Sequence, residues 1–211
     1  MLYYKKYSIN NVIGELDMKI NIVVGSTRQA RGSDKVAKWV AASAKNMGIE
    51  ADFTVVDLMD YKLEMFDNPM PPQGMKDRQE EGDLKQWLDS MGDADGYIFV
   101  TPEYNHSIPA VLKNAIDYLD FQLVKKPSAI VSHGAIGGAR ANEHLRLILN
   151  SNLGSVIVPE SVTLKAPVAF AEVILDDGTL HDDYNKEQSP LEAQLASIVW
   201  YANALKVARE Q

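Results

Sequence analysis

The 211-residue sequence contains no cysteine, and that one absence removes several kinds of protein at once. Disulfide scaffolds, thiolate nucleophiles and zinc–thiolate sites are all excluded. Long apolar runs are missing too: no stretch approaches the ~18 residues of a membrane span, and no signal-peptide core precedes a small-residue cleavage site. Positive charge is scarce. Twenty-one basic residues stand against 29 acidic ones, a formal net charge of −8, and no Lys/Arg run exceeds two residues. That balance argues against nucleic acid or an anionic membrane as a partner. The four histidines (His106, His133, His144 and His181) show no ligand spacing with one another or with paired carboxylates, so no metal is implied. "DDGTLHDD" lacks the calcium-loop pattern and reads as a solvated turn. The expectation is a soluble, cytoplasmic protein.

What is present is a sizeable core. A hydrophobic content of 46% over this length suits one domain. Residues 1–17 have no clear period, whereas Met18 opens "MKINIVVGS", a natural first strand. The organisation expected is an N-terminal extension, 1–17, ahead of one domain, 18–211. A translation start at Met18 is the other reading of the same residues.

From Met18 the chain alternates. "KINIVVG" reads as a buried strand, and Val36, Trp39, Val40, Ala44 and Met47 trace a helix stripe that Gly48 stops. "ADFTVVDL", "GYIFVTP", "PSAIVSHG" and "GSVIVPE" supply four more strands, with helical patterns between them. In the third helix Ile108, Val111, Leu112, Ala115, Ile116 and Leu119 form one apolar stripe, Pro109 suits the first turn and Ser107 reads as its cap. Residues 161–183 read as irregular with some strand character, and Leu191, Leu195, Ile198, Val199, Ala202 and Leu205 mark the last helix. Five βα units predict an α/β fold: a flavodoxin-like three-layer sandwich with a five-stranded parallel sheet, order 2-1-3-4-5. Ligands in such sheets bind beyond the carboxyl ends of the strands, at the switch point between the first and third. The loops 25–33 and 101–107 therefore matter most.

"GSTRQARGS" runs from the first strand into the first helix. Ser26, Thr27 and Ser33 offer hydroxyls, Arg28 and Arg31 offer cations, and the helix start offers unpaired N–H groups. This donor set suits a phosphate monoester. The alternative is a capped turn with Ser33 as N-cap and two solvated arginines. No G-K-[ST] and no G-x-G-x-x-G occurs here. A receiver domain would need Asp at the end of the third strand, where Thr-Pro-Glu stands.

The three segments "GSTRQARGSDKVAKWV", "TPEYNHSIPAVLKNAIDYL" and "SHGAIGGARANEHLRLIL" together resemble the NADPH-dependent FMN reductase family, the flavodoxin-like quinone, azo-dye and chromate reductases. The resemblance covers residues 18 to about 157, and the last helix more loosely. It implies that Ser26, Arg28 and Ser33, with Thr27 and Arg31, hold the FMN phosphate, and that Pro102, Glu103, Tyr104 and Asn105 line the isoalloxazine. It also sets the fourth-strand loop, with His133, Gly134 and Gly137, on the other side of the ring. His133 departs from the family's usual Tyr or small residue, and either shapes the flavin edge or stands as a polar loop residue. Arg140 would meet a nicotinamide phosphate or form an ion pair at a subunit interface. The resemblance further implies a homodimer or homotetramer, NADPH or NADH as electron donor, and a small-molecule acceptor such as a quinone, azo compound or flavin. No catalytic side chain is required, because the chemistry lies on the flavin. The rival reading is a non-enzymatic flavin-binding electron carrier or redox-sensitive interaction module. The residues 65–75, rich in Met and Pro, read as a long connector or as a lip over the flavin.

Overall fold

The computed structural model describes residues 18–75, 78–165 and 173–211. The expected extension, 1–17, lies outside them. Five strands form one parallel sheet in the order β2-β1-β3-β4-β5, as the patterning predicts: β1 is Lys19–Val24, β2 Asp52–Asp57, β3 Gly96–Pro102, β4 Pro127–Gly134 and β5 Val156–Lys165. The apolar runs of β1, β3 and β4 are buried because helices cover both faces of the sheet, whereas β2 lies at an edge and exposes Asp52, Thr54 and Val55.

Each face has its own core. On one, α1 (Ser33–Asn46) and α5 (Gln188–Arg209) press Val36, Trp39, Val40, Leu191, Leu195 and Ile198 onto the sheet. On the other, α2 (Gly82–Asp93), α3 (Ala110–Asp117) and α4 (Ala139–Leu149) bring Trp87, Leu112, Ile116 and Leu145 against Tyr97 and Phe99. Each stripe predicted for α1 and α3 has one member that faces water instead: Met47 is 38% exposed and Val111 is 41% exposed. Gly48 ends α1 at φ +64, the left-handed stop expected of it.

Two local expectations and one alternative are refined. Residues 161–165, read as irregular with some strand character, continue β5, which absorbs a register shift against β4 between Ser128 and Ile130. Gln194 of α5 braces that irregularity, its Nε2 donating to the carbonyls of Ile130 and Glu160. Pro159 is tolerated because β5 is an edge strand. Ser33 is the first helical residue of α1, and Gly32 is the N-cap. Ser107 does not cap α3, which starts at Ala110 behind Pro109; its hydroxyl meets His144 Nδ1 at 2.8 Å.

The connector between β2 and α2 is pinned to α3. Asn114 accepts from the N–H of Phe66 at 2.8 Å and donates to the carbonyl of Glu64 at 2.7 Å, and the Tyr118 hydroxyl reaches that same carbonyl. Gln73 adds longer contacts to the carbonyls of Leu119 and Asp120.

Candidate functional site

Parallel strands that end together bring their exit loops together, and here β1, β3 and β4 deliver three loops to one end of the sheet. The loop after β1 leaves through Gly25, whose N–H donates to the carbonyl of Val100 at 2.8 Å. A Cβ at Gly25 would lie 2.8 Å from a Leu112 methyl and 3.0 Å from the Val100 carbonyl oxygen, so a side chain at this exit would force its neighbours to shift. Ser26 is fully buried, Thr27 is half-buried, and Arg28 is exposed. Ala30 holds φ at 51°, a left-handed conformation that costs a β-carbon residue roughly 1–2 kcal/mol.

The two arginines of this loop do different work. Arg31 turns inward, donating to the carbonyl of Ser26 and pairing with Asp57 at the end of β2; the two side chains are only 11% and 21% exposed. Asp57 also caps the short turn after β2 by accepting from the N–H of Met59 at 2.9 Å. Arg31 thus braces the loop, and its charge is matched. Arg28 makes no ion pair among the described residues and lies over the Tyr104 ring, 5.7 Å from its centroid. It remains an exposed cation in the loop that leads into α1.

The loop after β3 is a two-residue hairpin. Tyr104 and Ser107 exchange backbone hydrogen bonds of 2.9 and 3.0 Å, and the residues between them, Asn105 and His106, take φ of 51° and 67°. Two successive positive φ angles mark a type I′ turn, which Asn tolerates well and His less so. Both are exposed, Pro102 is buried, and Glu103 and Tyr104 are half-buried. Glu103 points its carboxylate at the start of α4, accepting from the N–H of Arg140 at 3.0 Å and of Ala141 at 3.4 Å, and pairing with the Arg140 guanidinium at 3.0 Å. Burial opposes its charge, but the Arg140 guanidinium and the two N–H groups win and hold the carboxyl below its usual range. Arg140 is therefore paired within the chain.

The loop after β4 packs under the other two. Gly138, at φ +73, is pressed so closely on His133 that a Cβ would lie 2.8 Å from its nitrogen and 2.9 Å from its oxygen. Gly137 lies against Thr163 and Gly134 against the Glu103 side chain. His133 is buried, its Nε2 lies 2.9 Å from Ser33 Oγ, and burial pushes its pKa down to about 4, so the ring is neutral at pH 7.

Three side-chain links therefore join the three loops in a ring. Ser26 Oγ meets the Tyr104 hydroxyl at 2.9 Å, Ser33 meets His133, and Glu103 meets Arg140. Two clefts of about 780 and 560 Å³ lie elsewhere, one by Asp89, Gly92 and Gln122 and one by Lys38, Ile49 and Phe53. Neither touches these loops, so the candidate site rests on loop chemistry rather than on concavity.

A family model for NADPH-dependent FMN reductase matches residues 18–167, which carry all three loops. The chain belongs to that family. Membership makes it an FMN-dependent NAD(P)H oxidoreductase. It is 35% identical over 177 residues to an NAD(P)H-dependent FMN reductase of Saccharomyces cerevisiae, covering 79% of this chain and 92% of that one. To an NAD(P)H-dependent FMN reductase of Schizosaccharomyces pombe it is 39% identical over 129 residues, 61% of this chain but only 64% of that protein. A quinone reductase of Escherichia coli aligns at 34% identity over 142 residues, 63% of this chain and 69% of its own. Among solved structures, the flavoenzyme NAD(P)H:(acceptor) oxidoreductase FerB of Paracoccus denitrificans superposes with a TM-score of 0.65 at 23% identity, over 87% of this chain and 98% of that one. That likeness speaks for the fold.

The donor set present fits FMN. The loop leading into α1 carries the buried hydroxyls of Ser26 and Ser33 and the exposed Arg28 guanidinium, the hairpin 104–107 joins it through the Tyr104 hydroxyl, and Gly134 lies against Glu103. No sequence signal marks Asp57 or Asn114 as supports, whereas Gly138 belongs to the glycine-rich loop that the motifs did mark. Asp57 is one acid among many until the fold sets it against Arg31.

Proposed function

We propose that this FMN reductase holds the cofactor phosphate at the start of α1 and its ring between the hairpin 104–107 and the loop 134–138. It would take electrons from NADPH or NADH and pass them to a quinone, azo compound, flavin or similar small acceptor. The observation that carries this reading is the ring of three links at the switch point, with Arg28 left outward as the unmatched cation. Arg28 and the hydroxyls of Ser26, Thr27 and Ser33 would hold the phosphate, while Arg31 keeps the loop in shape through Ser26 and Asp57. Pro102, Tyr104 and Asn105 would seat the ring, and Glu103 acts from behind by fixing α4. When bound, FMN supplies the redox chemistry, accepting a hydride from nicotinamide and passing it to the acceptor. The side chains bind, orient and exclude water.

The relatives named as FMN and quinone reductases support acceptors of that kind. No helix among the described residues is long and apolar enough to cross a membrane, which agrees with a cytoplasmic enzyme. A homodimer or homotetramer is part of the same reading, with exposed Val111 and Phe121 as contact candidates. The domain is taken as 18–211, with 1–17 as an extension. The test is direct. Purified protein should be yellow, release FMN on denaturation, and oxidise NADPH in the presence of a quinone. Released FAD, or a colourless protein indifferent to added FMN, would end the reading.

A further inference from the structure

We propose that the outer face of α5 is a two-fold contact between copies of this chain, in which two α5 helices pack antiparallel about Trp200. The contact stands apart from Val111 and Phe121, because α5 covers the opposite face of the sheet from α3.

A helix at the surface of a domain is ordinarily apolar on its inner side and charged on its outer side. The last helix breaks that rule. Its inner side presses Leu191, Leu195, Ile198 and Ala202 onto the sheet. Its outer side carries Ala193, Ala196, Trp200, Ala204 and Val207, with Trp200 45% and Val207 37% exposed. Residues 188–211 hold only four charges, and none stands on this strip. Lys206 and Arg209 turn to Asp95, at 2.9 and 3.0 Å, and Glu192 accepts from Gln188. Glu210 is the C-cap, beyond the end of the strip.

The order of the strip points to its occupant. Positions 193, 196, 200, 204 and 207 are spaced by 3, 4, 4 and 3, the same from either end. An antiparallel copy turned about Trp200 therefore sets Ala193 against the partner's Val207 and Ala196 against the partner's Ala204. Helical side chains lean toward their own N-terminus, so each indole lies over its own Ala196 and the partner's Ala204, both small enough to receive it. Trp200 is also held in advance, edge-on to Tyr201 with ring centroids 4.9 Å apart, which reduces the freedom lost on association. Charge favours the same occupant. Each chain carries a net charge of −8, and two copies repel least across a face that has none. At 1.5 Å per residue the strip is about 21 Å long, which makes this a small, concentration-dependent contact rather than an obligate one.

Three measurements on the FMN-loaded protein test this. Trp200→Glu should weaken self-association by more than about tenfold and so halve the mass that light scattering finds at high concentration; equal masses for the two proteins would overturn the proposal. The chain has no cysteine, so introduced ones report the register cleanly. Under mild oxidation a mixture of the Ala196→Cys and Ala204→Cys proteins should give a covalent pair of twice 23.4 kDa. Either protein alone should give little, since its two sulfurs would lie about 12 Å apart along the helices, beyond the reach of a disulfide. Efficient linking of Ala196→Cys to itself would mean parallel helices and defeat the two-fold. Trp39 and Trp87 are fully buried, so emission quenched by acrylamide reports Trp200. Monomeric protein with a quenchable Trp200 leaves the face bare, and monomeric protein with a shielded one assigns it to the chain itself. Either result removes the proposal.

Discussion

Arg28 and Arg31 lie three residues apart in one loop, and their replacement by Met should produce opposite phenotypes. Arg31 is the donor in a half-sequestered pair with Asp57, and also holds the Ser26 carbonyl. Stranding a fully buried partner costs about 3–5 kcal/mol. The Asp57 side chain is 21% exposed and retains its bond to the Met59 N–H, so water and that bond should reduce the loss to roughly 1.5–3 kcal/mol. At about 2–4 °C per kcal/mol for a chain of this size, apoprotein melting should fall by roughly 3–12 °C. Arg28 is exposed and touches only the Tyr104 ring by its charge, so Arg28→Met should shift melting by about 2 °C or less. It should instead weaken FMN by about ten- to a hundredfold, the loss of a charge-assisted contact to phosphate. Differential scanning fluorimetry of the apoprotein and FMN titration give the two axes. Asp57→Asn should remove most of the stability cost of Arg31→Met, because no buried carboxylate is then left behind. A stable Arg31→Met apoprotein that has lost FMN would refute the assignment and make Arg31 the phosphate ligand.

Glu103→Gln should flatten the acid limb of stability: the carboxyl is held below its usual range, so its contribution is complete above pH ~4.5 and fades as pH falls through the folded value. Equilibrium unfolding of both proteins across pH 3 to 6 checks this, and parallel curves would contradict it. Gly138→Ala should cost about 2 kcal/mol or more, since it adds a left-handed penalty to a backbone clash with His133; a urea midpoint within error of wild type would show that the loop yields easily. Asn114→Leu should free the segment 64–66 from α3, seen as faster hydrogen exchange at the Phe66 amide with β1 and β3 unchanged. Tyr104→Phe removes the bond to Ser26 but keeps the ring beneath Arg28, and should weaken FMN by about two- to tenfold; an unchanged constant would mean that the link is dispensable.

Much of the fold was readable because parallel strands buried on both faces cannot disguise themselves. "YIFV" and "INIVV" have no polar alternation, and each is followed by a stripe of period 3.6. The end of β5 was harder, because an edge strand with Pro159 and alternating exposure resembles a loop. Ser107, read as a cap, and Ser33, for which a cap was the alternative, have the residue type of one, yet each hydroxyl is engaged by a histidine from a distant element, His144 of α4 and His133 of β4, at 37 and 100 residues' distance, which local rules cannot register. For the candidate site, the motifs pointed to three loops that the fold brings to one end of the sheet, but could not divide labour within them. Arg28 and Arg31 look alike in the sequence, and only Asp57, arriving on a different strand, distinguishes them. The carboxylate of Glu103 accepts from N–H groups at the start of α4, a contact that no local pattern announces.

The ring of loop links has a consequence for how the molecule is made. Its three bonds close chain segments 78, 100 and 37 residues apart, so each comes late in any ordering governed by loop closure. A nascent chain that has paired β1 with β2 holds the loop 25–33 with no partner for Ser33, and β4 must emerge and dock before that partner exists. On the proposed reading, cofactor affinity would then depend on the sheet being fully assembled. Flavin present during synthesis would stabilise complete chains and leave truncated or mispaired ones colourless, and so exposed to proteolysis.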